Sequence, residues 1–234
     1  MIITGDYHTH SRYSKLMHGK HSIKDMVEFA EDLGLEGYAV TDHGPKHALF
    51  GIKRKNIDKA KAEIEELKQN TKLNLYFGIE ANLMKKDGSI DLTDEEISKL
   101  DLLIVGYHRG CKNDFVSALR NKEKQKEINT EAYLNLLDKY NVDIISHLNE
   151  YIKVDVFKVA SKAKEKGTII ELNNKHIKFN DEEAKALIDS GVSLILSSDA
   201  HKKQNIAKFD KVLDFVEKYN IPYERIVNID KLYK

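Results

Sequence analysis

Residues 102–108 read LLIVGYH. Four apolar residues in a row, two of them β-branched, with no polar residue alternating between them, describe a strand covered on both faces, as in a parallel sheet packed between helices. The run ends in a glycine and a tyrosine, then a histidine. The same plan recurs along the chain. Candidate strands are Ile2 to Tyr7, Gly37 to Thr41, Asn74 to Ile79, Leu102 to Tyr107, Asp143 to Ser146, Thr168 to Leu172 and Ser193 to Ser197. Longer stretches with helical periodicity separate them. Ser22 precedes an apolar stripe of Ile23, Met26, Val27, Ala30 and Leu33 and is placed as an N-cap, with Gly34 as the stop. Further helices are expected over Ile57 to Gln69, Thr93 to Lys99, Asn129 to Tyr140, Val154 to Lys166, Asp181 to Ser190 and Ile206 to Tyr219, with Gly167 and Gly191 as C-terminal stops. Arg225 to Ile229 is read as a short closing strand, and Lys85 to Ile90 and Lys112 to Lys126 as excursions, the second a lysine-rich loop at the mouth. Strands alternating with helices, without a glycine-rich phosphate loop after the first, fit a closed β/α barrel better than a doubly wound nucleotide-binding sheet.

The chain has 234 residues, of which 41% are hydrophobic and 32% charged, so one globular domain covering 1–234 is expected and disorder is excluded. Lys plus Arg and Asp plus Glu both number 38. That balance argues against holding nucleic acid by bulk positive charge. Cys111 is the sole cysteine, which excludes an internal disulfide and a thiolate zinc site. No run approaches the roughly 18 apolar residues of a membrane span, and a cytoplasmic location is expected.

In a β/α barrel the C-terminal strand ends share one mouth, and catalytic side chains gather there. Here each strand ends in residues able to bind metal or to support such a site: Asp6-Tyr7-His8-Thr9-His10, Thr41-Asp42-His43-Gly44, Gly78-Ile79-Glu80, Gly106-Tyr107-His108, Ile145-Ser146-His147, Glu171-Leu172-Asn173-Asn174 and Ser198-Asp199-Ala200-His201. His-X-His in a strand points two imidazoles to one side, and Asp199-X-His201 repeats the device. Imidazole mixed with carboxylate suits Zn, Mn or Fe, and the lack of thiolates suits a catalytic site.

This ordered set resembles the PHP superfamily, named for polymerase and histidinol phosphatase, and within it the compact stand-alone bacterial phosphatases. The resemblance spans essentially the whole chain. It implies a distorted (β/α)7, TIM-like barrel with the active site at the C-terminal strand ends and three divalent metal ions. His8, His10, Glu80 and Asp199 would hold one ion; Glu80 would bridge to a second held by His108 and His147; and His18, His43 and His201 would hold the third. His21, three residues along the same loop, is the alternative to His18, which is preferred for its position before the Ser22 cap. Glu80, Asp199 and His201 are the residues expected at the chemistry. The amidohydrolases also begin with His-X-His, but they place a bridging lysine where this chain has His108.

Three divalent ions less the charges of Glu80 and Asp199 leave a strongly cationic site, suited to a phosphate ester. Coordination lowers the pKa of water from about 16 toward about 7, which makes a metal-bridging hydroxide the expected nucleophile. Arg109, Lys46, Arg12, Lys175 and Lys202 lie near the motifs as candidate phosphate contacts, Arg109 foremost because a guanidinium holds phosphate through paired hydrogen bonds. Asp6, Asp42, Glu171 and Asn173 are expected to orient the imidazoles. Cys111 is read as a spectator, and His47 and His176 are left over, as solvated loop residues or substrate contacts. The expected activity is a phosphomonoesterase for a small phosphorylated metabolite, histidinol phosphate being one candidate. The alternatives are a phosphodiesterase or exonuclease, which would need an extended basic groove, and a non-catalytic metal-stabilised binding module.

Overall fold

A computed structural model describes residues 2–112 and 121–230. Seven parallel strands form one sheet in chain order: β1 (Gly5–Asp6), β2 (Gly37–His43), β3 (Asn74–Asn82), β4 (Leu102–Gly106), β5 (Ile144–Ile145), β6 (Ile169–Asn173) and β7 (Leu194–Ser197). A helix follows each strand: α1 (Ile23–Asp32), α2 (Ile57–Lys68), α3 (Asp94–Ile97), α4 (Lys122–Lys139), α5 (Val156–Lys166), α6 (Asp181–Ser190) and α7 (Asp210–Lys218). The expected (β/α)7 barrel is therefore present, nearly closed.

The opening heptapeptide shows how the barrel is filled. Leu103 and Val105 of β4 face outward into the main core, which includes Ala132, Tyr133 and Leu136 of α4, while Ile104 between them packs inward with Ile144 and Ile195. Tyr7, Leu102 and Ile169 flank that inner cluster and plug the lower end of the barrel. Residues two apart share a strand face, so the next inward positions on β4 and past β5 are Gly106 and Ser146, and Glu80 pairs in register with Ile104. An apolar floor thus carries a polar layer at the mouth.

The seam between β1 and β7 lacks a regular ladder. A single parallel bridge joins Thr9 to Ala200, with the His10 N–H donating to the Ala200 carbonyl at 2.8 Å. Below it the buried amide of Asn228 stitches the two strands, donating to the Gly5 and Leu196 carbonyls at 2.8 Å each and accepting from the Leu196 N–H at 3.0 Å. The expected closing strand over Arg225 to Ile229 is therefore not a strand. It is a 3-10 turn at Tyr223–Arg225 followed by isolated bridges, Ile226 to Leu194 and Ile229 to Ile3. The second bridge is antiparallel and draws Ile2 to Thr4 away from the barrel, which shortens β1 to two residues.

Ser22 caps α1 in a capping box with Asp25, and Gly167 and Gly191 end α5 and α6 in the left-handed region, as expected. Leu33 is the C-cap of α1 and is 47% exposed, so it lies outside the buried stripe. The last helix begins at Asp210, because a 3-10 turn at Lys203–Asn205 and a left-handed Ala207 interrupt the periodic stretch. Lys85 to Ile90 forms a tight turn closed by an antiparallel bridge between Leu83 and Ile90. Of the lysine-rich excursion, residues 113–120 lie outside the described residues, and from Lys122 the chain is already α4. No described helix is long and apolar enough to cross a membrane.

Candidate metal centre

The strand ends deliver one buried polar cluster. Glu80, fully buried at the end of β3, is its hub. One carboxylate oxygen lies 3.1 Å from His108 Nε2 and 2.8 Å from His147 Nε2; the other lies 3.3 Å from His8 Nε2, 3.7 Å from His10 Nε2 and 2.8 Å from His43 Nδ1. Ser146 adds a hydroxyl donor to the first oxygen at 2.9 Å. Burial alone would raise the Glu80 pKa, but His108, His8 and His43 overturn it and hold the carboxyl well below its ordinary range.

Asp199 faces the same cluster from the seam, with Oδ1 3.2 Å from His10 Nε2. Burial works against its charge, yet the adjacent His10 and the nearby His8 and Lys175 keep it ionised well below the usual value. His8 and His10 aim their Nε2 atoms at each other across 3.2 Å. Burial holds His10 well below its ordinary pKa and brings His18 and His43 to about 3, so these imidazoles keep free lone pairs. His18 completes the outer rim: its ring centroid is 4.0 Å from that of His201 and 5.3 Å from that of His43, and it stacks on Phe50 at 3.7 Å. No ring contact joins His21 to the cluster among the described residues, so of the two candidates in that loop the structure brings His18 into place.

The donor set fits divalent cations. Glu80 Oε2, Asp199 Oδ1, His10 Nδ1, His108 Nδ1 and His201 Nε2 are all buried without a hydrogen-bond partner. Orphaned atoms of this kind are costly unless an ion or ligand meets them. Three sets have ligand atoms within 4.8 Å of one another: His8-His10-Glu80, His43-Glu80-His108 and His10-His43-His201. They overlap at His10, His43 and Glu80, and His147 and His18 flank them.

The family model described as "PHP domain" matches residues 6–194. The chain belongs to the PHP domain family. It is 30% identical over 233 residues to a protein of Acetivibrio thermocellus named "Probable phosphatase", covering 95% of this chain and 90% of that one. A Clostridium novyi protein of the same description is 29% identical over 240 residues, covering 97% and 90%. Among solved structures, histidinol phosphate phosphatase from Lactococcus lactis, complexed with zinc, L-histidinol and phosphate, superposes with a TM-score of 0.64 at 17% identity, over 99% of this chain and 100% of that one. At that identity the likeness shows a shared fold.

This PHP domain also corrects several expected roles. Glu171 does orient an imidazole: its Oε1 lies 2.6 Å from His8 Nδ1, and Oε2 accepts the His147 N–H at 2.7 Å. Asn173 follows, donating to Glu171 at 3.0 Å and to Asp199 at 3.3 Å. Asp6 and Asp42 touch no imidazole. Asp6 accepts from the Ser198 hydroxyl and from the Ser198 and Ala207 N–H groups. Asp42 accepts both the N–H and the hydroxyl of Ser11 and of Ser14, and so ties down the loop that carries His18. Both face away from the inward histidines, and burial raises each to about 6.

Of the candidate phosphate contacts, Lys175 reaches the cluster, its Nζ 2.9 Å from His201 Nδ1 and 3.6 Å from Asp199 Oδ1. Arg109 lies over the Tyr151 ring at 5.5 Å, and Tyr151 packs against His147 at 5.7 Å, so the guanidinium stands at the rim. Arg12 instead lines a separate surface depression with Lys15 and Lys53. Lys46 uses its backbone N–H to reach Asp91 at 2.8 Å and leaves its side chain exposed, and Lys202 is exposed.

Sequence reasoning missed Glu150, whose nearly buried carboxylate pairs with Lys178 at 2.7 Å and lies 3.4 Å from His176. It also missed the left-handed backbone of His147 (φ 30°) and Asp199 (φ 52°). Non-glycine residues hold such conformations only where surroundings force them, commonly at functional sites.

Proposed function

We propose that this single domain is a metal-dependent phosphatase hydrolysing phosphate monoesters of a small metabolite, and that three divalent ions occupy the cluster. The observation that carries the reading is the set of buried, partnerless ligand atoms around Glu80 at the barrel mouth. His8, His10, Glu80 and Asp199 would hold the first ion, Glu80 with His108 and His147 the second, and His18, His43 and His201 the third. When bound, divalent ions activate water as a nucleophile and offset charge on the phosphoryl oxygens and leaving oxygen. The names of the curated relatives support the activity, and the zinc in the Lactococcus structure supports zinc as one suitable metal. Histidinol phosphate is the first substrate to try, because that structure holds its hydrolysis products.

The chain's own residues do the positioning. Glu171 accepts from His8 Nδ1, so Nε2, the nitrogen that faces Glu80, is the one that would turn its lone pair to an ion. Asn173 fixes the Asp199 carboxylate relative to Glu171. Lys175 stands beside His201 and Asp199, where its ammonium meets an incoming phosphoryl group. Arg109, held over Tyr151, faces the part of the ester that projects from the mouth. The free, half-buried thiol of Cys111 accords with a reducing cytosol.

The test combines metal analysis with a phosphatase screen on the protein and on His10→Ala. Close to three ions per chain and an ester hydrolysis abolished by the substitution are expected. A stoichiometry near one, or hydrolysis indifferent to the change, sinks the proposal.

A further inference from the structure

The ligand sets leave His47 and His176 unused. His47 is the more enclosed, at 6% exposure. Its loop is closed on itself, with the His47 N–H donating to the Gly44 carbonyl at 3.1 Å, Gly51 N–H to the His47 carbonyl at 3.1 Å and Ile52 N–H to the His43 carbonyl at 2.8 Å, and Gly44 N–H ties it to the Glu80 carbonyl of β3 at 2.7 Å. The ring is clamped as firmly as the backbone. Phe50 stacks on it with centroids 5.0 Å apart and planes at 24°. On the side of the next loop stands Gly110, where a Cβ would come 2.7 Å from His47 Nε2, so only glycine leaves the ring its place.

The clamp also fixes the proton. The Phe50 N–H donates to His47 Nδ1 at 3.2 Å, so Nδ1 is the acceptor nitrogen and Nε2 carries the hydrogen. A protonated Nε2 has no lone pair for a metal, so the tautomer sets His47 apart from the proposed ligands. No hydrogen-bond acceptor meets that Nε2–H among the described residues. Yet the ring centroid is 5.1 Å from that of His43 and 5.5 Å from that of His108, both within hydrogen-bond reach of Glu80. A donor fixed in place and free of any protein acceptor, set beside a cation-binding cluster, is available to an anionic oxygen held there.

We propose that His47 donates a hydrogen bond from Nε2 to a phosphoryl oxygen of the ester and of the inorganic phosphate product. The proposal rests on the phosphatase reading and adds to it a catalytic residue that is not a metal ligand. Such a donor, fixed before substrate arrives, costs no reorganisation as charge builds on the phosphoryl group.

The experiment measures inorganic phosphate binding to the metal-loaded protein by calorimetry, with bound metal quantified in the same samples, for wild type, His47→Ala and His47→Gln. Loss of one hydrogen bond to an anion corresponds to about a 10- to 100-fold rise in the phosphate Kd for the alanine variant. Metal content stays unchanged, and glutamine, which keeps an N–H donor, recovers most of the affinity. An unchanged Kd in the alanine variant overturns the proposal, as does loss of metal, which would make His47 a ligand. A glutamine variant as weak as alanine overturns it too, because packing alone would then explain the effect. A wild type that binds phosphate through His47 but hydrolyses no ester refutes the phosphatase reading and leaves the donor intact.

Discussion

At the residue scale, Glu171 shows what a strand-end carboxylate does when it is not itself a ligand. It accepts from His8 on one oxygen and from the His147 backbone on the other, so one side chain sets the angle of two imidazoles on different strands. Glu171→Ala is expected to weaken metal binding by about 10- to 100-fold, read by competition with a chromogenic chelator, while the fold persists by circular dichroism. The histidines themselves were legible because a parallel barrel sends every strand end to one mouth, so spacing alone brings His8, His10, Glu80, His108 and His147 together. Their supporters were legible only in part. Asp42 stands next to His43 in sequence, but adjacent residues on a strand point to opposite faces, so it serves the Ser11 to Ser14 loop instead. Nothing in local sequence announces that His147 and Asp199 take left-handed backbone, because long-range bonds impose it.

At the element scale, helix starts and buried strands were readable and the seam was not. The stripe Ile23, Met26, Val27 and Ala30 repeats at helical spacing, and that face is the buried one. The helix α4 begins at Lys122, about two turns before the expected Asn129, because its Asn121 cap and polar first residues make no core contact to betray them. Asn228 is illegible for a different reason: its partners Gly5 and Leu196 are remote in sequence, and an isolated asparagine reads as loop. Asn228→Ala strands three buried backbone groups and is expected to cost about 2 to 4 kcal/mol, lowering Tm by roughly 5 to 15 °C in a melting experiment. The short helix α3 carries a second prediction. Thr93 and Glu96 form a capping box, and Arg54 pairs with the same carboxylate. Burial would raise the Glu96 pKa, but the hydrogen bonds from Arg54 and Thr93 outweigh it and lower it below 4.5. A depressed carboxylate stabilises the fold above its unfolded pKa and loses that contribution as pH falls through the folded one. Glu96→Gln is therefore less stable than wild type at neutral pH, and the gap narrows below pH 4.5 in denaturant titrations; an undiminished gap in acid contradicts the assignment.

At the scale of the whole molecule, balanced surface charge encloses a core of ligand atoms that burial strips of water. Chelation is expected to abolish hydrolysis and to lower the melting temperature, since ions that bind only the folded chain stabilise it by about 2.7 kcal/mol at a hundredfold excess over Kd. Zinc or manganese restored separately, followed by activity and Tm, ranks the metals. The seam gives this dependence an order in time. His8 and His10 follow β1 and Asp199 and His201 follow β7, while the amide of Asn228 that holds those strands together comes later still. During translation the histidines that follow β1 emerge before Glu80, His147, Asp199 and His201 are made. A growing chain therefore offers metal an incomplete grip until the residues that follow β7 meet those that follow β1, so full metal loading waits on closure of the seam.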